Sequence, residues 1–171
     1  MNRMDTQQQQ DTILVTGSNG LIGYAVAKRL AGDYPVVGFQ HHEKPDAPPG
    51  VDRVMVDLTS DESVRRGLDT VRERYGSHLA SVVHLAAYYD FSGEPSYLYE
   101  DLTVRGTERL LRGLQSFQVE QFSFSSSMLV YAPSTPEHPI DEDWPVEPKW
   151  AYPKSKVRTE DVIRAERGNI P

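Results

Sequence analysis

The sequence predicts an α/β fold built on a doubly wound parallel sheet, and three observations support this fold class. Short apolar runs rich in β-branched residues alternate with segments of helical periodicity from Thr12 to Lys156. Turn-forming glycines and prolines separate many of these segments, and no segment repeats. Strands that alternate with helices form parallel sheets through right-handed crossovers, with helices on both faces. Ligands of such sheets bind beyond the carboxyl ends of the strands.

The first half of the chain contains the strands that we number first to third, at residues 12–17, 35–40 and 53–58. Helical spacing follows the first and third strands. The residues predicted on the inner helix faces are Ile22, Val26 and Leu30 in the first helix and Val64, Leu68, Val71 and Tyr75 in the second. The segment "KPDAPPG" before the third strand is predicted to be a surface loop.

The second half adds strands at residues 81–87 and 121–127, so that we expect the strand order 3-2-1-4-5. Between them a long helix is predicted from leucines spaced by multiples of four, which are Leu98, Leu102, Leu110 and Leu114. A proline-rich acidic loop over 134–150 precedes the last helix. We expect that helix to begin at Pro153, because the first N–H groups of a helix have no partner within it.

Composition restricts the class of protein. The 171 residues are enough for one well-packed domain, and 38% apolar and 25% charged residues are typical of a globular chain. A net charge of −7 without a basic stripe argues against nucleic acid as the main partner. The chain contains no cysteine, which excludes disulfides, thiolate catalysis and cysteine-based zinc sites. No metal site is predicted.

The amino-terminal segment has no apolar core of the kind that a signal peptide requires. No apolar run approaches the roughly 18 residues needed to cross a bilayer. We therefore expect a cytoplasmic protein with no membrane partner, whose residues 1–11 form a disordered tail.

Three glycines follow the first strand at intervals of three, in "TGSNGLIG". A helix amino terminus offers unpaired N–H groups and the positive end of the helix dipole to an anion. Gly17 would permit the tight turn, Gly20 would let a diphosphate touch the backbone, and Gly23 would let the helix press on the strand. The spacing differs from the G-x-G-x-x-G fingerprint, and the alternative interpretation is a turn with incidental glycines. The strand before and the helix after favour a phosphate site.

With this spacing the glycine motif resembles the extended, sugar-nucleotide epimerase-like branch of the short-chain dehydrogenase/reductase superfamily. Further segments resemble the family's motifs in the same order. They are Asp57-Leu58 after the third strand, "HLAA" (84–87), "TVRGT" (103–107) with Thr103 in place of the family's Asn, "FSSSMLVY" (124–131) and "YPKSK" (152–156). The resemblance covers nearly the whole chain. It implies a Rossmann-type domain over residues 12–171 that binds NAD or NADP.

The resemblance also implies a set of cofactor-binding residues. These are Gly17, Asn19, Gly20, Leu21, Ile22, Gly23, Gln40, His41, Asp57, Leu58, Leu85, Ala86, Ala87, Thr103, Ser125, Tyr152 and Lys156. Gln40 stands where NAD-preferring relatives carry an acidic residue for the adenosine ribose. No arginine stands beside it, and Lys44 is the nearest cation, so the sequence leaves the choice between NAD and NADP open.

Ser127, Tyr152 and Lys156 are the predicted catalytic residues. Tyr152 and Lys156 are four residues apart and share a helix face. A phenol with an ordinary pKa of about 10 is a poor base at neutral pH, and we expect the Lys156 ammonium to lower the pKa of Tyr152. The resemblance implies that Lys156 also holds the nicotinamide ribose. Tyr152 would exchange a proton with the substrate hydroxyl while a hydride passes to or from nicotinamide, and Ser127 would orient the same oxygen.

These residues predict an NAD(P)-dependent oxidoreductase or epimerase that acts on a hydroxyl or carbonyl carbon of a sugar nucleotide or similar small molecule. Met128 and Leu129 stand where the family's dehydratases carry acidic residues, so we expect no dehydratase activity. One alternative is a non-catalytic dinucleotide-binding module that acts as a sensor or scaffold. Another is an NADP-dependent carbonyl or hydroxysteroid-type reductase. His84 is expected to be a buried strand histidine outside the catalytic set.

The carboxyl-terminal residues lead to a separate expectation about the extent of the sheet. "RGNIP" lies where relatives continue into a sixth strand and the segments that form most of their substrate site. We therefore expect a truncated piece that lacks the carboxyl-terminal strands. The sheet would then have an apolar edge that a partner or a second copy of the chain, in a homodimer, would cover. Tyr88, Tyr89 and Asp90 are expected either to line the substrate pocket or to form a solvated loop.

Overall fold

A computed structural model describes residues 11–43, 47–90, 92 and 94–171. The tail predicted over 1–11 lies outside the described residues apart from Asp11, and so does Lys44. The strands are β1 (Ile13–Thr16), β2 (Val36–Gln40), β3 (Val51–Met55), β4 (His78–Leu79), β5 (Ser81–His84), β6 (Gln118–Val119) and β7 (Phe122–Phe124). The helices are α1 (Leu21–Leu30), α2 (Asp61–Tyr75), α3 (Arg105–Leu114) and α4 (Ala151–Glu166), with a π-helical segment at Tyr99–Val104 and a 3₁₀ turn at Met128–Val130.

The main sheet is parallel and has the order β3-β2-β1-β5-β7. The predicted strands therefore follow the expected order 3-2-1-4-5, and the doubly wound Rossmann-type fold is confirmed. Thr16 pairs in register with Phe39 on one side and His84 on the other. The carboxyl ends of three neighbouring strands consequently lie side by side, where ligands of such sheets bind. The short pair β4 and β6, which the sequence did not predict, forms a second sheet.

Three strands end earlier than predicted, because local hydrogen bonds turn the chain at their carboxyl ends. After β3 the carboxylate of Asp57 accepts hydrogen bonds from Thr59, which starts a turn. After β5 the amides of Leu85 and Ala86 donate to the Thr16 hydroxyl instead of continuing the ladder. β7 also ends before its predicted limit at residue 127, where Ser127 caps the 3₁₀ turn. The predicted binding motifs therefore lie in the turns that follow the strands.

The first helix buries a different face from the predicted one. Ile22 is 61% exposed, and Gly23 and Ala27 are the buried residues of α1. Val26 and Leu30 are half-buried. Only small side chains fit where the helix approaches β1 so closely, and this overrides the apolar spacing. In α2, by contrast, the predicted inner face is confirmed, because its leucine and valines are buried and its Tyr75 is half-buried.

The predicted long helix is present, but its first part is π-helical. A π-turn closes i to i+5 bonds and so shifts the helical phase. Leu98 and Leu102 are half-buried for this reason, and Tyr99 takes an inward position at 5% exposed. Leu110 and Leu114, in the regular part, are fully buried as predicted.

The core lies on both faces of the main sheet. The smaller cluster joins α1 to residues such as Val15 and Val36, and the larger one packs α2 and α3 against residues such as Leu14 and Phe39. The last helix begins at Ala151, two residues before the predicted start, and places Pro153 in its first turn. Within the described ranges, no helix is long and apolar enough to span a bilayer.

Candidate active site

The turn between β1 and α1 is built so tightly that Gly17 and Gly23 leave no room for a side chain. Gly17 has a φ of +68°, and its carbonyl accepts a hydrogen bond from the Gly20 amide at 2.9 Å. A Cβ at Gly23 would lie 2.0 Å from the Gly17 oxygen, and one at Gly17 would lie 3.0 Å from the Ala86 backbone. Gly20 is the helix N-cap and brings no side-chain cap to the first amides of α1. A diphosphate fits this helix terminus.

A cleft begins at this turn and runs over the ends of β1, β2 and β5. It is lined by Thr16, Gly17, Asn19, Gly20, Phe39, His41, Val56, Asp57, Leu58, Ala86, Ala87 and Leu102. Most of this lining was predicted from motifs. Thr16, Phe39, Val56 and Leu102 were missed. The three apolar residues are indistinguishable in sequence from core residues, and Thr16 belongs to the predicted strand β1.

The structure does not bring every predicted cofactor residue to the cleft. Thr103 is fully buried, and its hydroxyl accepts a hydrogen bond from the Tyr88 amide at 2.9 Å. Ser125 contributes its carbonyl oxygen, which accepts from Lys156 Nζ at 2.9 Å. Leu21, Ile22 and Gly23 form the first turn of α1, and their predicted role toward a phosphate stays a prediction. Leu85 packs beneath Gly17 through its backbone.

Gln40, predicted on the ribose side of the cofactor, and Asp57, predicted on its adenine side, lie in different environments. Gln40 is 3% exposed; its Nε2 donates to Met55 Sδ at 3.6 Å, and its Oε1 has no hydrogen-bond partner. Asp57 borders the cleft. Burial alone would raise the pKa of Asp57, but hydrogen bonds from Thr59 and the nearby charges of His41 and Arg109 bring that pKa below its ordinary value. The cleft therefore carries a carboxylate at neutral pH.

The three predicted catalytic residues come together beyond the ends of β5 and β7. Ser127 caps the 3₁₀ turn, accepts from the Leu129 amide at 3.2 Å and lies close enough to Tyr152 for its hydroxyl to affect the pKa of the phenol. Lys156 Nζ lies 5.7 Å from the centre of the Tyr152 ring and 4.8 Å from that of Phe124.

The protonation states differ from the expectation. Burial raises the pKa of Tyr152; the hydrogen bond from Ser127 opposes this, while Tyr89 and Tyr99 add to it. Burial also lowers the pKa of Lys156 from 10.5 to about 8. The expectation that Lys156 lowers the pKa of Tyr152 is wrong for this structure. The Lys156 ammonium is directed to the Ser125 carbonyl, so desolvation dominates both groups.

An aromatic wall stands beside Tyr152. The ring of Tyr89 meets it edge-on at a centroid distance of 4.6 Å, and Tyr99 lies at 6.4 Å. Tyr88 packs edge-on against Tyr99 at 4.9 Å. The segment after β5 therefore packs in part beside Tyr152, with Tyr88 half-buried and Tyr89 46% exposed. Whether it lines a substrate pocket stays a prediction. Tyr99 could not be selected from the sequence, because it lies in the π-helical segment, which departs from the apolar spacing of a regular helix.

The model of the NAD dependent epimerase/dehydratase family matches residues 13–169. The chain belongs to this family. The suspected resemblance is thereby confirmed, and the family is NAD-dependent, which agrees with the dinucleotide expected in the cleft.

Two relatives are similar to this chain in sequence over nearly its whole length. The N-acetyl-alpha-D-glucosaminyl-diphospho-ditrans,octacis-undecaprenol 4-epimerase of Escherichia coli is 29% identical over 164 residues, covering 94% of this chain and 45% of that protein. The 3 beta-hydroxysteroid dehydrogenase type 7 of Homo sapiens is 28% identical over 187 residues, covering 96% of this chain and 48% of that protein. The chain thus spans about half the length of the curated relatives that it matches.

A solved structure agrees with the fold. The UDP-glucose 4-epimerase of Thermus thermophilus, crystallised in complex with NAD, superposes with a TM-score of 0.77 at 28% identity, covering 90% of this chain and 50% of that one. This family member has the parts that a dinucleotide requires: a glycine turn that a Cβ would block, an uncapped helix terminus and a cleft along the strand ends. Its residues therefore fit the cofactor of the family.

Proposed function

We propose that the protein is an NAD-dependent epimerase or dehydrogenase of the extended short-chain type, acting on a hydroxyl-bearing carbon of a sugar nucleotide or a similar small molecule. One observation carries this proposal: the Tyr152 phenol lies beside Ser127, whose hydroxyl affects its pKa, and one helical turn from Lys156, whose Nζ lies 5.7 Å from the Tyr152 ring centre. A pure binding module has no use for this arrangement. The family and its epimerase relatives support the same reaction class.

The roles follow from the protonation states. Bound NAD would supply the chemistry of accepting and returning a hydride. Tyr152, whose raised pKa keeps it a neutral phenol, donates its proton to the substrate oxygen when a carbonyl carbon becomes a hydroxyl carbon. In the opposite direction, the phenolate of Tyr152 receives that proton back from the substrate hydroxyl. Ser127 orients the same oxygen, and the Lys156 ammonium fixes the Ser125 carbonyl beneath the site.

Two observations favour NAD over NADP. The carboxylate of Asp57 borders the cleft and would repel the extra phosphate of NADP. Among the described residues that line the cleft, none is a lysine or an arginine to pair with that phosphate. Gln40 Oε1, which is buried without a partner, would accept a hydrogen bond from a ribose hydroxyl.

A hydroxysteroid-type alcohol is the second candidate substrate. The similarity to the Homo sapiens 3 beta-hydroxysteroid dehydrogenase type 7 supports it. Beside Ser127, Met128 is 63% exposed and Leu129 is 42% exposed. These apolar side chains would suit an apolar substrate. The same two residues support the absence of dehydratase activity, since neither is an acid or a base.

The experiment follows NADH absorbance with the full natural chain, NAD and a panel of UDP-sugars and 3β-hydroxysteroids, together with a sugar epimerisation assay. Tyr152→Phe should lower kcat by about a hundredfold or more and leave the Kd for NAD within twofold. Tyr97→Phe, a control at a 76% exposed tyrosine, should change neither. Wild-type turnover that persists in Tyr152→Phe would contradict the proposal. NAD binding without turnover of any substrate would support the sensor or scaffold instead.

A further inference from the structure

His84 joins three elements through a chain of hydrogen bonds that the proposed reaction does not use. Its Nδ1 lies 2.7 Å from Thr16 Oγ1 at the end of β1. Its Nε2 lies 2.8 Å from Thr107 Oγ1 on α3, and that hydroxyl donates to the Thr103 carbonyl at 2.6 Å. The imidazole is 1% exposed. His84 therefore connects β1, β5 and α3 inside the protein.

These contacts determine which ring nitrogen carries the proton. The single hydroxyl proton of Thr107 goes to the Thr103 carbonyl, so Thr107 Oγ1 accepts from His84 and Nε2 is the protonated nitrogen. His84 Nδ1 is then an acceptor, and Thr16 Oγ1 donates to it. Each hydrogen in this series of bonds therefore has one acceptor. In the reversed tautomer, the Nδ1–H of His84 and the hydroxyl of Thr16 would be two donors facing each other.

The surroundings of the ring keep it neutral. The aromatic rings of Phe122 and Phe124 lie 5.9 and 5.8 Å from the imidazole centre. Burial, with a contribution from the charge of Lys156, lowers the pKa of His84 to about 3. A second ring proton would also compete with the hydrogen that Thr16 donates. His84 therefore does not exchange protons near neutral pH, and its tautomer is fixed.

The series of hydrogen bonds ends at the backbone of residues 85–86, which we call the floor of the cleft. Thr16 Oγ1 accepts from the amides of Leu85 and Ala86 at 3.2 and 3.1 Å. With one donated and two accepted bonds, this hydroxyl is saturated. Ala86 lines the cleft and packs directly against Gly17. The backbone on which a dinucleotide would lie is thus tied to the imidazole through one oxygen atom.

We propose that His84 is a positioning residue for the dinucleotide: as the Nε2–H tautomer bridging Thr16 and Thr107, it holds the 85–86 backbone against Gly17 so that the cofactor can lie across it. The inference rests on the proposed function, because it concerns affinity for the same cofactor. His84 acts through Thr16 and has no part in proton transfer. Loss of the Thr107 hydroxyl would leave the buried Nε2–H of His84 without an acceptor. The 85–86 backbone would then be held less firmly against Gly17.

The test compares Thr107→Val, which removes the hydroxyl at similar volume, with Thr107→Ser, which keeps it. Thr107 lies outside the cleft lining and the catalytic set. By calorimetry on the full natural chain, Thr107→Val should raise the Kd for NAD about fivefold or more, and Thr107→Ser should stay within twofold. Val71→Ala, a fully buried control on α2, should lower Tm without changing the Kd.

The wild-type ring gives a second readout. In ¹⁵N-edited NMR spectra, His84 should show the Nε2–H tautomer without titration between pH 5 and 9. A Nδ1–H tautomer would overturn the inference even if a variant does not fold. So would an unchanged Kd for NAD in a folded Thr107→Val. Failure of the wild-type protein to bind NAD at millimolar concentration would overturn both the proposed function and the inference. The tautomer of His84 and the Kd of Thr107→Val, by contrast, test the inference alone.

Discussion

Replacing Lys156 by methionine tests the electrostatics of the site most directly. Lys156 is 3% exposed, and burial lowers its pKa from 10.5 to about 8. Below pH 8 the folded and unfolded chains both carry the proton, and the folded chain bears the full cost of a buried ammonium. Between pH 8 and 10.5 the unfolded chain binds more protons than the folded one. The stability of the wild-type protein therefore rises with pH in this window.

The magnitude follows from the shift. Lowering the pKa from 10.5 to about 8 corresponds to about 3 kcal/mol against folding at pH 7. Methionine has a similar shape and no charge, but it loses the hydrogen bond to the Ser125 carbonyl, worth about 1 kcal/mol. We expect Lys156→Met to be more stable than wild type by about 2 kcal/mol at pH 7. Since the wild type gains about 2 kcal/mol by pH 9.5, the difference should vanish there.

Urea unfolding at several pH values between 7 and 9.5 measures this difference. Lys154→Met is the matched control, because Lys154 lies on the same helix with an exposed side chain. Its stability relative to wild type should not depend on pH over this range. A difference between Lys156→Met and wild type that is constant from pH 7 to 9.5 would refute the reasoning. So would a variant less stable than wild type at pH 7, which would show that the buried ammonium is net favourable.

Three further changes test other contacts. Gly23→Ala places a Cβ 2.0 Å from the Gly17 oxygen and should lower the unfolding free energy by about 2 kcal/mol or more and weaken NAD binding. The control Gly32→Ala, whose Cβ would have its nearest atom at 3.6 Å, should change neither quantity. Thermal unfolding and calorimetry measure the two effects. Gln40→Leu removes a buried oxygen without a partner and should raise stability by about 1 kcal/mol in denaturant titrations while weakening NAD binding. Ser60→Ala removes the N-cap acceptor of α2 and should cost about 1 kcal/mol, and a cost below a few tenths would exclude a capping role.

The sequence predicts the sheet and the chemistry well because both depend on local patterns. Alternating strands and helices determine the parallel order, and the need for Gly23 depends on a contact with Gly17 six residues away. The association of Ser127 with Tyr152 could also be predicted, since parallel strands end at one edge of the sheet and Tyr152 begins the helix that crosses it. The roles of the cofactor residues themselves stay predictions.

The sequence predicts less where the outcome depends on tertiary distance. Apolar spacing favoured Ile22 as an inner residue, but Gly23 is the buried one, because α1 packs there against the Gly17 carbonyl of the preceding turn. The π-turn, which brings Tyr99 inward, has no recognised sequence signal. The pKa of Tyr152 depends on desolvation and on the direction of the Lys156 ammonium, and neither can be read from a spacing of four residues.

The π-helical segment at Tyr99–Val104 separates two tasks along a single helix. Its surplus residue sets the angle between the tyrosine that faces Tyr152 and the leucines that anchor α3 in the core. If the same residues closed as a regular α-helix, the preceding part would turn by about 100° and carry Tyr99 away from Tyr152, while the anchor stayed in place. The aromatic surroundings of the phenol therefore depend on how this single turn closes, and the hydrophobic interior does not have to change with them.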